Sequence, residues 1–537
     1  MSVGDARSAF TGGAGGGARL LLGVALLALA AGSFLVGSSL PEAAAHRVGG
    51  NAPVNPGAVD DLDIRANNSP SIARSPTDPA LIAVASRVDS PRYSCGLYVS
   101  RNRGASFTEV SIPLPEGEES KCFAPDVAFG PDGTFYVLFA TLIGAGNVPN
   151  AMWVSTSNDG LRTLSTPVKV LGPLAFQARL LADPVRPGAL ALTWLQADDT
   201  ALLAFPEAGY PIMASRSQDG GRSWSAPVRV SSPSRRRVVA PVPALRRSRL
   251  LVAYLDLGED SLDYHGGHRG QGGPPYPGPW QLVVARSADG GATWSDSLVD
   301  PRLVPIERFV VFLPPSPSIV VDGSSGRVYV AFHDGREGDP DVWVWSSEDG
   351  RRWGAPVRVN DTPARDARWQ YLPRLAVAPN GRLDVLYYDR RADPKDVMNE
   401  ASLQFATDQG RRFAPRIRLS DDPFDSRIGF GVENDLADLG SRLALLSTDR
   451  SALAVWTDTR GGNEISKKQD LARAVVAFAE GSPLRAPLRI ASLPLALAGI
   501  AVVIAALFAR LRLSSRRKGL PEPEEIDDTA GEGFGDA

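Results

Sequence analysis

From about residue 60 to residue 480, short apolar runs alternate with turn-forming clusters, and no stretch keeps a helical period. Residues 317–359 show the unit most clearly. Residues 317–322 read as one strand, a Gly-Ser-Ser-Gly turn follows, and residues 327–333 alternate as a second strand. Residues 341–345 make a third strand and residues 356–359 a fourth. Strands of this length, punctuated by Gly, Pro and Asp, predict an all-β domain built from four-stranded antiparallel units. First strands open near Pro70, Pro125, Phe176, Pro241, Pro317, Pro373 and Asn434, which gives seven units, with six as the alternative count. The last unit has strands through Leu443, Trp456 and Val475 and no obvious fourth. Residues 62–65, just ahead of the first unit, are expected to supply it and so close the ring without an unpaired edge.

A phrase of fixed spacing recurs between third and fourth strands. Its cleanest copies are Ser217, Asp219, Gly221, Trp224 and Ser287, Asp289, Gly291, Trp294. Looser copies carry Asn102, Asp159, Glu348 and Asp408 in the acidic place. Asp-Gly-Gly between two β-rich runs is a hairpin signal, because glycine adopts the positive φ a tight turn needs. The carboxylate accepts hydrogen bonds from the turn and the aromatic ring folds back on the hairpin. One copy per repeat is expected of turn closure, whereas catalysis requires groups that converge. A repeat of this period predicts a closed repeat architecture.

The pattern Ser-x-Asp-x-Gly-x-x-Trp resembles the Asp-box (BNR) repeat of sialidases and related β-propellers. The resemblance covers most of residues 60–478 and implies a β-propeller. It also implies three arginines on a substrate carboxylate, a Tyr nucleophile paired with Glu, and an Asp acid/base. The first of those arginines belongs to an Arg-Ile-Pro motif at the opening of the first blade. The matching stretch here is Asn68, Ser69, Pro70, so Asn68 stands where the arginine is implied, and no Tyr–Glu pair is assigned.

A second phrase, aromatic-x-Asp-x-Arg, ends several second strands: Phe332, Asp334, Arg336; Tyr387, Asp389, Arg391; and Trp456, Asp458, Arg460, with a partial copy at Tyr254 and Asp256. These six acids and arginines are the candidate ligand-binding residues, since guanidinium groups from several blades can clamp a carboxylate. The competing reading is a loop anchor that each blade needs. The long second-to-third-strand loops, residues 196–209 and 256–279, lie on the same face, opposite the Asp boxes, and mark it as the functional surface. His265 and His268 in the second of these loops are weak metal candidates within a Gly/Pro-rich, solvated segment. No cofactor is expected.

Two segments lie outside the repeats. Residues 20–40 form a long uncharged run behind Arg7 and Arg19, followed by Ala43, Ala44 and Ala45. This reads as a signal peptide, with an uncleaved anchor as the alternative. Residues 490–509 carry no charge and are long enough to span a bilayer as one transmembrane helix. Arg510, Arg512, Arg516, Arg517 and Lys518 follow directly and place that end in the cytoplasm. The expected organisation is a targeting segment over 1–45, a propeller over 46–480, a linker over 481–489, the span over 490–509 and a cytoplasmic tail over 510–537.

With 57 basic and 60 acidic residues the net charge is −3, and nothing electrostatic points to nucleic acid. Cys95 and Cys122 both fall near the first blade, on the same ring face, and export permits a disulfide between them. The chain thus reads as a membrane-anchored, extracytoplasmic propeller that binds a glycan or an envelope protein. The alternative is an exo-sialidase-type hydrolase with a diverged active site.

Overall fold

The computed structural model describes residues 11–39, 46–60, 62–199, 210–260, 276–305, 315–429, 439–479 and 485–517. Residues 46–478 form one compact unit and the two terminal helices another. In the first unit the described residues make seven antiparallel sheets, which is a seven-bladed β-propeller. The fifth blade shows the plan: Ser318–Val321, Val328–Asp334, Asp341–Ser347 and Val357–Arg358 run in chain order from the inner to the outer strand.

The ring closes between the two ends of the domain, by different residues from those expected. The outer position of the seventh blade is taken by His46–Val48 and Ala52–Pro53, both paired with Asp470–Phe478. Residues 62–65 form no strand, and Ala66 makes an isolated bridge to Gln469. The reason is reach. The outer and inner strands of a four-stranded blade are three spacings of about 4.8 Å apart. The first inner strand begins at Asn67, so residues 62–65 leave only a few ångströms of chain for the crossing. The segment after Pro53 makes the crossing instead, held by a Val54 N–H bond to the Leu471 carbonyl at 2.8 Å and by Asn55 Nδ2 on Asp470 at 2.8 Å.

A bulge recurs at one phase of the inner strands. In blades one, two, three, four and six the register slips between Asn68 and Ser71, Phe123 and Asp126, Phe176 and Arg179, Val239 and Val242, and Tyr371 and Arg374. The residue inside each slip, Ser69, Ala124, Gln177, Ala240 or Leu372, has a φ between 49° and 60°. Proline follows it in four of the five, at a bulge where a strand tolerates a missing donor. In blades four and six the N–H that the bulge releases is taken by a side chain of the preceding blade. Ala240 N donates to Gln177 Oε1 at 2.8 Å, and Leu372 N to His333 Nδ1 at 3.4 Å.

Blades pack face to face through large apolar side chains. Trp194, Trp280, Trp345 and Trp456 on second or third strands are fully buried. The Cys95–Cys122 disulfide joins the third strand of blade one to the inner strand of blade two. Closing a loop of 27 residues stabilises by about 3.5 kcal/mol in the chain-entropy model.

The other unit holds α1 (Thr11–Ser39) and α2 (Arg485–Arg517), so half of the expected linker is helical. Each contains an apolar window long enough to cross a membrane, Ala18–Leu35 and Ala491–Ala509. The helices meet at two glycines. A Cβ on Gly23 would lie 2.7 Å from Val503 Cγ2, and one on Gly499 would lie 2.8 Å from Leu27 Cγ. Small residues at such a crossing let two apolar helices approach backbone to backbone.

Candidate functional site

The Asp-box acids are occupied by their own turns. In blade three, Asp219 accepts the Ser217 and Ser223 hydroxyls at 2.8 and 2.6 Å and the Ser223 N–H at 2.9 Å. The Ser223 hydroxyl, then its N–H, hold Asp219 down to about 2. Asp289 and Asp159 are lowered in the same way, the Thr293 and Thr163 hydroxyls leading. Asn102 accepts the Ser100 hydroxyl and the Ser106 N–H, and Asp408 the N–H groups of Arg411 and Arg412. In blade five the acid is Asp349, one residue later than Glu348: it takes the Ser347 hydroxyl and the N–H groups of Arg351 and Arg352. Glu348 instead meets Arg327 at 2.7 Å. The register moves because Ser347 is the buried serine paired with Val328, as Ser217 is with Leu190.

On the opposite face the aromatic-x-Asp-x-Arg loops share one construction. Each Asp accepts the N–H two residues on and also the guanidinium of that residue. Arg336 Nε lies 3.0 Å from Asp334, Arg391 Nε 2.6 Å from Asp389 and Arg460 Nε 3.0 Å from Asp458. Each guanidinium then reaches a polar group at the rim. Arg336 bonds Asp300 on the outer strand of blade four at 2.8 Å. Arg391 bonds Asp361, just past the outer strand of blade five, at 2.6 Å. Arg460 bonds Asn51, between the two N-terminal strands, at 2.9 Å, and Asn51 also holds the Leu419 carbonyl of blade six. The three arginines therefore reach three different blade junctions, and no single carboxylate is shared among them.

Burial works against the charge on Arg336, and the bonds from Asp334 and Asp300 outweigh it, so its pKa rises. In blade four, Gly258 stands two residues after Asp256, and the missing guanidinium comes from Arg235 Nη1 at 2.6 Å. Asn68, at the place of the implied first arginine, is buried and bonded to Asp89 at 2.8 Å and Gln469 at 3.0 Å. His265, His268, residues 200–209 and Asn434 lie outside the described residues. Among the described residues no cluster of three metal-ligating side chains is present.

A second cluster was not anticipated. A cavity of about 470 Å³ runs along the propeller axis, and all seven inner strands line it. Its charged lining consists of Asp126, Arg179, Arg374 and Arg442. The first three are the residues where pairing resumes after the bulge. Asp126 is held by the Ser71 hydroxyl at 2.5 Å and the Leu180 N–H at 3.0 Å, with Arg442 3.7 Å away. Arg442 also bonds the carbonyls of Ser69 and Pro125. Aligning the repeats on Pro125-Asp126 and Pro373-Arg374 would have revealed the shared level.

No family model matches the chain, and no curated protein matches it. Among solved structures it is similar to a protein of unknown function from Dyadobacter fermentans DSM 18053, at 15% identity over 81% of this chain and 99% of that one, TM-score 0.45. It is also similar to an alpha-L-arabinanase of Penicillium chrysogenum, at 13% identity over 67% of this chain and 94% of that one, TM-score 0.41. The Hadza microbial sialidase Hz136 matches at 14% identity over 74% of each chain, TM-score 0.42. At such values these likenesses carry no inference about activity, and the propeller rests on its own seven sheets.

Proposed function

We propose that the chain is a membrane-anchored, extracytoplasmic propeller that binds a glycan or a protein ligand through the face carrying the Asp–Arg loops. The observation that carries this is the state of the groups that hydrolysis would need. The candidate clamp arginines are engaged at separate blade junctions. The tyrosines with shifted pKa values, Tyr98, Tyr136, Tyr254, Tyr329, Tyr387 and Tyr388, are all pushed up, with burial the first cause. A phenol held protonated is a poor nucleophile. Loops braced by carboxylate–guanidinium pairs on a rigid scaffold are instead suited to presenting a fixed surface.

The test pairs turnover with retention. The full-length protein in detergent micelles is expected to leave a fluorogenic sialoside intact while retaining at least one ligand from a panel of glycans and envelope peptides. Turnover that is abolished by Arg391→Ala at an unchanged melting temperature would establish hydrolysis and sink the binding reading.

The anchor in this reading is the helix pair, with α1 retained beside α2. Arg7 precedes one apolar window, Arg19 stands at its start, and Arg510 and Arg512 follow the other, so under the positive-inside rule both chain ends are expected in the cytoplasm. The Gly23–Gly499 crossing supports retention, since a cleaved α1 would leave that face of α2 uncovered. An epitope placed ahead of Met1 is expected to stay on the membrane-bound chain and to be shielded from antibody in intact cells. Its loss from the mature chain removes α1 from the anchor, and its exposure reverses the orientation.

A further inference from the structure

We propose that the axial cavity is a second binding site, which takes a carboxylate borne on an apolar stem and receives the carboxylate between Arg179 and Arg374. The site lies apart from the Asp–Arg loops. Beyond the arginines the cavity is lined by residues toward the first-to-second-strand turns, such as Pro184, Val321, Val377 and Ser447. Those turns share a face with the Asp boxes, as the Gly220 N–H bond to the Gly188 carbonyl at 2.9 Å shows for blade three. The cavity therefore extends toward the Asp-box face. Nor does it coincide with the clamp that the Asp-box resemblance implies, whose first member falls at Asn68, three residues earlier and across the bulge.

Charge balance supplies the argument for an anion. Three guanidiniums and one carboxylate line the cavity. The carboxylate is already satisfied by Ser71 and Leu180, and Arg442 is held by the carbonyls of Ser69 and Pro125. Among the described residues, the side chains of Arg179 and Arg374 make neither a hydrogen bond nor an ion pair, Asp126 acts on both only through space, and Arg374 Nε is buried without a partner. Removing such charges from bulk water is costly unless a counter-charge meets them. Burial first, then Arg179, lowers Arg374 to about 10 and Arg442 to about 9, so both remain cationic at neutral pH. A carboxylate suits guanidinium in charge and in planar geometry.

The walls decide the rest of the ligand. Val242, Ile319, Leu375 and Leu445 line the cavity beside the arginines, so an apolar stem finds apolar surface where a bare inorganic anion would leave it wet. The fold also contains a template for filling the site from within. Asp126 accepts the Leu180 N–H of the next blade at 3.0 Å, and Ser318 accepts the Leu375 N–H of the next blade at 3.0 Å in the same manner. Ser318→Asp therefore sets a carboxylate beside Arg374 as Asp126 is set beside Arg179.

The experiment is calorimetric titration of the full chain in detergent micelles with N-acetyl-leucyl-leucine, its C-terminal amide, hexanoate and sulfate. The peptide acid and hexanoate separate a chain terminus from a small fatty acid as the source of the carboxylate. Binding of either acid, at least tenfold tighter than amide or sulfate, is expected. Arg179→Gln and Arg374→Gln should each weaken the acid tenfold or more and melt no lower than the parent, because they relieve repulsion. Ser318→Asp should abolish acid binding and raise the melting temperature. The proposal is overturned if acid and amide bind alike, if neither acid binds at ~1 mM, or if the arginine variants retain full affinity. It is equally overturned if those variants melt well below the parent while Ser318→Asp brings no rise, which would make the arginines structural.

Discussion

Replacing Arg382 with alanine is expected to cost about 3–5 kcal/mol of unfolding free energy, the range for stripping one partner from a buried ion pair. Arg382 and Asp384 flank the start of the second strand of blade six, and both are buried. Their guanidinium and carboxylate meet through two bonds of 2.8 and 2.9 Å. The same guanidinium donates to the carbonyls of Thr448 and Asp449 in the first turn of blade seven, and it stacks 3.6 Å from the centroid of Phe478. The Ser447 hydroxyl completes Asp384 at 2.6 Å. Burial raises Asp384, and Arg382 works against that rise.

Alanine at this place leaves a buried carboxylate with one donor and strands the two carbonyls as well. The site matters because no Asp box was found in blade seven and its outer strands come from the far end of the domain. Denaturant unfolding of Arg382→Ala and of the double variant Arg382→Met, Asp384→Leu separates the terms. The double variant should recover most of the loss, since apolar groups of similar volume replace a buried pair at little cost. A single-variant loss below about 1 kcal/mol would show that the pair is not holding the blade junction.

Acid is expected to destabilise the propeller through His333 at about 1.4 kcal/mol per pH unit, reaching about 3 kcal/mol by pH 4.5. His333 is buried, stacks on Phe332 at 4.6 Å and accepts the Leu372 N–H, and burial lowers its pKa to about 3. The folded value lies below the unfolded one, near 6.5. The stabilisation is therefore complete above pH 6.5 and is lost as the pH falls from there toward 3. Protonation would set an N–H of the ring against the Leu372 N–H that it now accepts. Asp334, Asp341 and Asp384 act in the opposite sense, because burial raises them and the folded state takes up their protons more readily. His333→Gln isolates the histidine, for Gln177 already fills the equivalent role toward Ala240. Unfolding curves of parent and variant should diverge between pH 6.5 and 4.5. Curves that stay parallel would assign the acid response elsewhere.

Strand length, turn chemistry and a repeated Ser-x-Asp-x-Gly-x-x-Trp phrase are local signals, and they made the four-stranded blade and the count of seven legible before any coordinates. The two apolar segments are equally local, since a bilayer-spanning length is set by composition alone. The disulfide was legible because both cysteines map to one ring face. Phase errors arose where a one-residue choice depends on pairing: the acid of blade five is Asp349 because Ser347 pairs with Val328, a fact about a neighbouring strand. The closing strand was misplaced because the rim-to-axis distance is a property of the assembled blade.

The candidate site divides along the same line. That Asp334, Asp389 and Asp458 each precede an arginine by two residues is written in the chain, and so is the tight loop that follows from it. Where Arg336 and Arg391 point depends on the blade before, which supplies Asp300 from its outer strand or Asp361 from just past it. Arg179, Arg374 and Arg442 lie in three different blades, and sequence spacing gives no sign that they line one cavity. Alternation and turn residues act over a few positions, so the order of residues is enough to specify the blade. Closing seven blades around an axis brings together inner strands distant in the chain, and that closure alone gathers three cations around a single carboxylate.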